Sequence, residues 1–112
     1  MIDSYGFGKI FINGEKYTSD VIIYPDRVDP SWWRTNGHRL SIGDLEDVLK
    51  EEPQTLIIGT GNMGLMRVSQ DVRQFIEDKG IKLIVMKTKA ACDEFNRLRE
   101  TERVICALHL TC

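Results

Sequence analysis

Short apolar runs separated by turn residues predict β structure in the N-terminal third of the chain. Residues 9–12 and 15–17 are both β-prone, and Asn13-Gly14 lies between them. Asn-Gly between two such runs is a strong signal of a two-residue hairpin. A further apolar run at residues 21–24 predicts a third strand, which Pro25 ends.

From residue 44 onwards, apolar positions alternate between helical spacing and continuous short runs. This alternation predicts a β-α-β-α-β order after a first short helix, and therefore at least one pair of parallel strands joined by a right-handed crossover. The predicted elements are a helix over 44–50, a strand over 54–59, a helix capped by Ser69 and running to residue 79, a strand over 81–86, a helix capped by Thr88, and a strand over 103–110.

The same spacing predicts which side chains face the core. The strand over 81–86 is apolar enough to be buried on both faces. The inward positions of the helices are predicted to be Leu45, Val48 and Leu49 in the first, Val72, Phe75 and Ile76 in the second, and Ala91, Phe95 and Leu98 in the third.

Residues 25–43 break the periodic pattern. The segment contains two prolines, two tryptophans and His38, one of only two histidines in the chain. Long irregular connections in compact domains are often functional or form a lid. Trp33, Arg34 and His38, with Asp44 just beyond the segment, are therefore candidate pocket residues; the alternative is that His38 bonds to backbone and helps to fix a packed tryptophan.

Composition narrows the class of protein. A chain of 112 residues, 42% hydrophobic and 29% charged, predicts a single globular domain over residues 1–112. The net charge of −2 and the absence of a basic block argue against nucleic-acid and membrane-surface partners. The three cysteines do not form a C-x-x-C pair, so we expect reduced thiols. The first residues show no targeting pattern and the apolar runs are short, so we expect a cytoplasmic location. His38, His109 and Cys112 are too few to predict a metal site, and we expect no cofactor.

The sequence LIIGTGNMG at residues 56–64 contains G-x-G-x-x-G after an apolar run. This is the pattern of a dinucleotide-binding turn, in which the helix begins inside the glycine motif and its N–H groups face the pyrophosphate. Here residues 65–68 precede the predicted cap at Ser69, and no acidic residue ends the next strand at 86–88 to bind a ribose. The chain is also short for the two halves of that fold, so a nicotinamide enzyme is disfavoured.

Two interpretations of the glycines remain. Gly59, Gly61 and Gly64 can supply unusual backbone angles or close approach at a strand end. Alternatively, the same turn can hold an anion or a small ligand through its N–H groups.

Three polar residues follow the predicted strands of the second half. Thr60, Thr88 and His109 each lie at or just beyond a strand end. If these strands are parallel, the three residues meet at the sheet edge where open α/β sheets bind ligands; an antiparallel last strand would move His109 to the opposite edge. Asn96 either reaches a pocket or bonds to a buried backbone group.

Several of these pieces, taken in order, resemble a known family of small uncharacterised domains named after a methanogen protein. The family includes the adipogenesis-associated domain protein of animals and an assembly factor of mitochondrial respiratory complex I. The resemblance covers nearly the whole chain and is carried by Asp20-Val21, Trp33, His38 with Asp44, Gly59-Thr60-Gly61, Thr88, Ala91, Phe95-Asn96 and the C-terminal RVICALHLTC.

The resemblance implies a three-layer α/β fold. A mixed central sheet would carry helices on one face and a smaller N-terminal β layer on the other. It also implies no secure catalytic activity, and its mitochondrial members suggest an assembly role.

We therefore expect a binding or assembly-type protein with a small pocket and a protein partner or small anionic ligand. The alternative is a small-molecule enzyme or anion binder that uses the Gly59-Thr60-Gly61 turn. An exposed apolar surface around Trp33 favours the first, and a polar cleft beneath it favours the second. The candidate pocket residues are Trp33, Arg34, His38, Asp44, Thr60, Gly61, Thr88, Asn96 and His109.

Overall fold

A small antiparallel sheet opens the chain in the computed structural model, which describes residues 1–112. Its strands are β1 (Ile2–Gly6), β2 (Lys9–Ile12) and β3 (Glu15–Tyr17), in that order. Asn13 and Gly14 both have positive φ, 49° and 82°, as a tight hairpin turn requires. The predicted hairpin is confirmed. The sequence pattern does not predict β1, because this strand carries several polar residues.

The central sheet is mixed. Its middle strand β8 pairs in parallel with β6, which pairs in parallel with β7, while β4 is antiparallel to both β8 and β5. The strands are β4 (Val21–Ile23), β5 (Val28–Asp29), β6 (Thr55–Thr60), β7 (Lys82–Met86) and β8 (Val104–His109), in the order β5-β4-β8-β6-β7.

Three helices complete the fold: α1 (Glu46–Lys50), α2 (Gln70–Asp78) and α3 (Thr88–Leu98). Ser69 caps α2 as predicted, because its hydroxyl accepts a hydrogen bond from the Val72 N–H. The predicted cap of α3 is wrong: Lys87 occupies the cap position, and Thr88 is the first helical residue. None of the helices has the length and apolar character needed to cross a bilayer.

Two apolar clusters lie on opposite faces of the central sheet. One contains side chains of the small sheet and of α3; the other contains side chains of α1, α2 and the irregular segment, including Trp32 and Leu40. The α/β class, the mixed sheet and the separate β layer are confirmed. The helices, however, lie on both faces: α1 and α2 on one, and α3 on the other with the small sheet. The crossover from β6 to β7 runs outward, whereas the crossover from β7 to β8 runs back past β6. Right-handed crossovers in opposite directions place their helices on opposite faces.

Two predictions about burial are wrong. β7 is an edge strand, so its residues are exposed or half-buried instead of covered on both faces. Phe75 is 42% exposed, because Val72 and Ile76 fill the inner face of α2. The Lys79 ammonium lies 4.8 Å from the centre of the Phe75 ring.

Candidate functional site

The carboxyl ends of β6, β7 and β8 meet at one edge of the central sheet. Because β8 is parallel to β6, Thr60 and His109 are paired in register at this edge. β7 ends at Met86, and Thr88 lies just beyond it, separated only by Lys87. The structure thus brings together the three polar residues that the sequence placed at strand ends.

The Thr88 side chain ties this edge together. Its hydroxyl accepts a hydrogen bond from the Gly61 N–H at 2.8 Å and donates one to the His109 carbonyl at 2.6 Å. Thr88 is completely buried, so both partners are shielded from water. Nearby, the Thr60 hydroxyl donates to the Met86 carbonyl at 3.2 Å. Both hydroxyl protons are therefore used within the protein.

The glycine-rich turn also bonds to the protein itself. Five of the six N–H groups between residues 61 and 66 donate to protein acceptors, among them the carbonyls of Thr111 and Cys112. Gly61 has φ of 107°, and a Cβ there would lie 2.4 Å from the carbonyl carbon of Cys112. Helix α2 starts only at Gln70. Conformation and close packing thus account for the glycine motif, and its N–H groups do not form an open phosphate cradle.

A charged cluster lies beside this turn and consists of the buried Arg34 and His109 and the half-buried Asp20. Asp20 Oδ2 lies 2.9 Å from Arg34 Nη1 and 2.8 Å from His109 Nδ1. Asp20 Oδ1 accepts a hydrogen bond from the Leu110 N–H at 2.8 Å. Asp20 immediately precedes β4, whose antiparallel pairing with β8 brings it to the end of that strand.

Asp20 is ionised in this setting. Burial alone would raise the pKa of its carboxyl group, but hydrogen bonds from His109 and the Leu110 N–H, with the charge of Arg34, lower that pKa below 3.8. His109 Nδ1 lies between this carboxylate and Arg34 Nη2, so a protonated Nδ1 donates to Asp20 and an unprotonated Nδ1 accepts from Arg34. Arg34 Nη2, 2.9 Å from the same Nδ1, also contacts the Gly37 carbonyl at 3.3 Å.

The charged cluster is enclosed by protein. His109 is 6% exposed and Arg34 8%. His109 Nε2 and Arg34 Nε have no hydrogen-bond partner in the protein. A His–Asp pair can carry a proton in catalysis, but the larger surface clefts are lined by other residues. The contacts of the charged cluster therefore indicate a structural role: they hold the irregular segment, residues 25–43, against the central sheet.

Trp33 is held outward by its two neighbours. Trp32 is buried, and its indole N–H donates to the Asp44 carbonyl at 2.9 Å while its backbone N–H donates to the Asp20 carbonyl at 2.7 Å. Arg34 is fixed by the charged cluster, and its guanidinium lies 4.6 Å from the centre of the Trp32 ring. Between them, Trp33 is 75% exposed.

The remaining candidate residues serve the local backbone. The Asn96 amide bonds to both the N–H and the carbonyl of Ile2, at 2.9 and 2.8 Å, and so attaches β1 to α3. The Asp44 carboxylate accepts from the N–H groups of Ser41 and Thr35. His38 is exposed, and its carbonyl accepts from the Arg67 N–H.

Asp20 is the site residue that the sequence prediction omitted. It belongs to the family resemblance as Asp20-Val21, but an acid just before a strand carries no signal of its own. The pairing of Asp20 with His109 spans 89 positions along the chain. Only the antiparallel placement of β4 against β8 reveals it.

This fold, a mixed sheet with helices on both faces and a small β layer on one of them, defines an α/β class of small domain. Within it, the chain belongs to the family described as a protein of unknown function (DUF498/DUF598), whose model matches residues 2–109. The family membership inferred from the resemblance is confirmed.

Several relatives share the fold along the whole chain. A conserved hypothetical protein from Pyrococcus horikoshii has a TM-score of 0.85 and 27% identity, with 100% of this chain and 99% of that one covered. A protein from Bartonella henselae, described as an outer membrane protein, has a TM-score of 0.83 and 28% identity, with 99% and 94% covered.

A curated relative from Xenopus tropicalis is NADH dehydrogenase [ubiquinone] 1 alpha subcomplex assembly factor 3. It is 26% identical over 109 residues, which cover 95% of this chain and 58% of the relative. The chain thus spans a little over half the length of this relative. No catalytic family is indicated among these matches.

Proposed function

We propose that this domain binds a protein partner through Trp33 and the acidic groove beside it. The observation that carries the proposal is that Trp33 is 75% exposed although both adjacent side chains are buried. Tryptophan is among the residues most enriched at the energetic centres of protein interfaces.

The exposed indole is held ready for binding by the backbone on either side. The hydrogen bonds of Trp32 and the ion pair of Arg34 with Asp20 fix the main chain before and after Trp33. A fixed main chain lowers the conformational entropy lost when a partner covers the side chain. The exposed indole supports the partner-binding hypothesis, although the groove that Trp33 lines is polar and not an apolar patch.

The groove beside Trp33 indicates the charge of the partner. The groove has a volume of about 390 Å³, and its lining includes four carboxylates and no basic residue; the acidic residues are Asp29, Asp44, Glu46 and Asp47. A partner segment with lysine or arginine next to an apolar pocket for the indole would complement this surface. Binding is therefore expected to weaken as salt concentration rises.

The name of the Xenopus relative, an assembly factor, supports a role in which this domain contacts other proteins. Because the match covers only 58% of that relative, we do not extend the proposal to a particular complex. A cytoplasmic location stays a prediction from the sequence, and the oligomeric state stays open.

A photo-crosslinking amino acid placed at Thr35, which is exposed in the same groove and leaves Trp33 intact, tests the proposal in extract of the source cells. We expect a discrete protein adduct that unlabelled wild-type domain competes away and Trp33→Ala does not. The matched control places the crosslinker at Gln74, which is exposed on α2. Equal competition by Trp33→Ala, or the same adducts from position 74, would refute the proposal.

A further inference from the structure

A second surface cleft lies beside the glycine-rich turn, on the face of the sheet that carries α2. It has a volume of about 500 Å³, a size typical of small-molecule sites. Three arginines line it: Arg39 from the irregular segment, Arg67 from the connection after the turn, and Arg73 from α2. We propose that this cleft binds a phosphate ester of an apolar group.

The three arginines are brought together by main-chain contacts. Arg39 and Arg67 are paired in a parallel β-bridge, supported by the Leu40 N–H donating to the Arg67 carbonyl at 2.9 Å. Arg73 Nε donates to the Val68 carbonyl at 3.3 Å, which holds its guanidinium near the cleft. Like charges on directly paired positions repel, so this arrangement favours a bound anion.

No carboxylate compensates these charges. The lining of the cleft contains no acidic residue, and none of the three arginines forms an ion pair. Asp71, close to Arg73 in the first turn of α2, makes no ion pair either. In a chain with net charge −2, this is a local concentration of unpaired positive charge.

A fourth cation lies at the rim. A Cβ on Gly64, which lines the cleft, would be 3.2 Å from Cγ of Lys87, so the lysine side chain runs along this side of the turn. Lys87 forms no ion pair.

The donor set favours phosphate over carboxylate. A carboxylate presents two oxygens and is satisfied by one guanidinium fork, whereas a phosphate ester presents three terminal oxygens that can accept from several forks. Apolar side chains complete the lining, including Met66 and Val85, and can cover the organic part of the ligand. The site is separate from the Trp33 surface and does not depend on the proposed protein partner.

Titration with phenyl phosphate, followed by backbone amide chemical shifts, tests this site directly. We expect saturable shifts confined to residues around the cleft. Arg67→Gln and Arg73→Gln should each weaken binding at least about tenfold, because each removes charge-assisted hydrogen bonds. Lys16→Gln removes the same charge from the exposed small sheet and should change the affinity less than about twofold.

Benzoate at matched ionic strength separates phosphate recognition from general attraction of organic anions. We expect benzoate to bind at least about tenfold more weakly than phenyl phosphate. Benzoate binding as tightly, shifts that never saturate, or equal loss in Lys16→Gln and Arg67→Gln would overturn the proposal. Melting temperatures of the variants verify that each remains folded.

Discussion

The Thr88 hydroxyl donates a 2.6 Å hydrogen bond to the His109 carbonyl and so joins the start of α3 to the end of β8. The same oxygen accepts from the Gly61 N–H, which attaches the glycine-rich turn. One buried hydroxyl therefore connects three segments that are distant in sequence.

Replacing Thr88 with valine should destabilise the protein strongly. The substitution keeps the shape but leaves a buried N–H and a buried carbonyl without this partner, at a cost of about 2–3 kcal/mol in the free energy of unfolding. Urea denaturation followed by circular dichroism measures the change. Thr18→Val, at an exposed position, should change the free energy by less than about 0.5 kcal/mol. Equal effects of the two substitutions would show that the Thr88 contacts contribute little.

Replacing Asp20 with asparagine should cost about 3 kcal/mol, because it leaves the buried Arg34 guanidinium without its counter-charge. The matched control is Asp26→Asn, whose carboxylate pairs with Arg27 at the exposed surface. That control should cost less than about 1 kcal/mol.

The Asp20 effect should also depend on pH. The pKa of the Asp20 carboxyl is lowered by folding, against the effect of burial, by hydrogen bonds from His109 and the Leu110 N–H and by the charge of Arg34. A lowered pKa contributes stability that is complete above the ordinary value of 3.8 and is lost as pH falls through the folded-state value. The difference in unfolding free energy between wild type and Asp20→Asn should therefore shrink below pH 3.8. A difference that stays constant or grows on acidification would contradict this assignment.

Gly61→Ala should be among the most destabilising alanine substitutions in the chain. The position has φ of 107°, and a Cβ would collide with the backbone of Cys112 at 2.4 Å. We expect a loss of at least about 2 kcal/mol, measured by denaturation. Gly37→Ala, where a Cβ meets nothing within 4 Å, should change stability by less than about 0.5 kcal/mol. Tolerance of alanine at Gly61 would show that the turn adapts readily.

The three cysteines should differ in reactivity. Burial raises the pKa of the Cys92 thiol to about 12 and that of Cys106 well above 9. Cys112 is only partly buried. A colorimetric thiol reagent at neutral pH should therefore modify one thiol rapidly in the folded protein and all three after denaturation. Cys112→Ser should abolish the fast phase, and a fast phase that survives this change would contradict the assignment.

The sequence predicts most of the fold because its elements follow local rules. The Asn13-Gly14 hairpin and the Ser69 cap depend on neighbouring residues, and the structure confirms both. The edge strand β7 is wrongly predicted as buried because apolar spacing does not reveal which strand lies at the edge of a sheet. Phe75 is wrongly predicted as buried because other residues of α2 fill its inner face. Thr88 is a plausible cap locally, but its hydroxyl is used by the more distant Gly61 and His109.

The candidate site at the sheet edge was only partly predictable from the sequence. The parallel β-α-β-α-β pattern brings Thr60, Thr88 and His109 to one edge, as expected from strand order. Asp20 joins them through antiparallel pairing of β4 with β8, which no local pattern encodes. The exposure of Trp33 follows from the burial of Trp32 and Arg34, and two adjacent tryptophans do not show which one is inside.

The affinity of the crosslinked partner for purified Trp33→Ala is the measurement that tests the central claim most directly. The account predicts that the dissociation constant rises at least about thirtyfold, the equivalent of about 2 kcal/mol at an interface centre. Phe75→Ala, which removes an exposed aromatic ring elsewhere on the surface, should change it less than about twofold. An unchanged dissociation constant for Trp33→Ala, with the fold intact, would contradict a partner surface centred on Trp33.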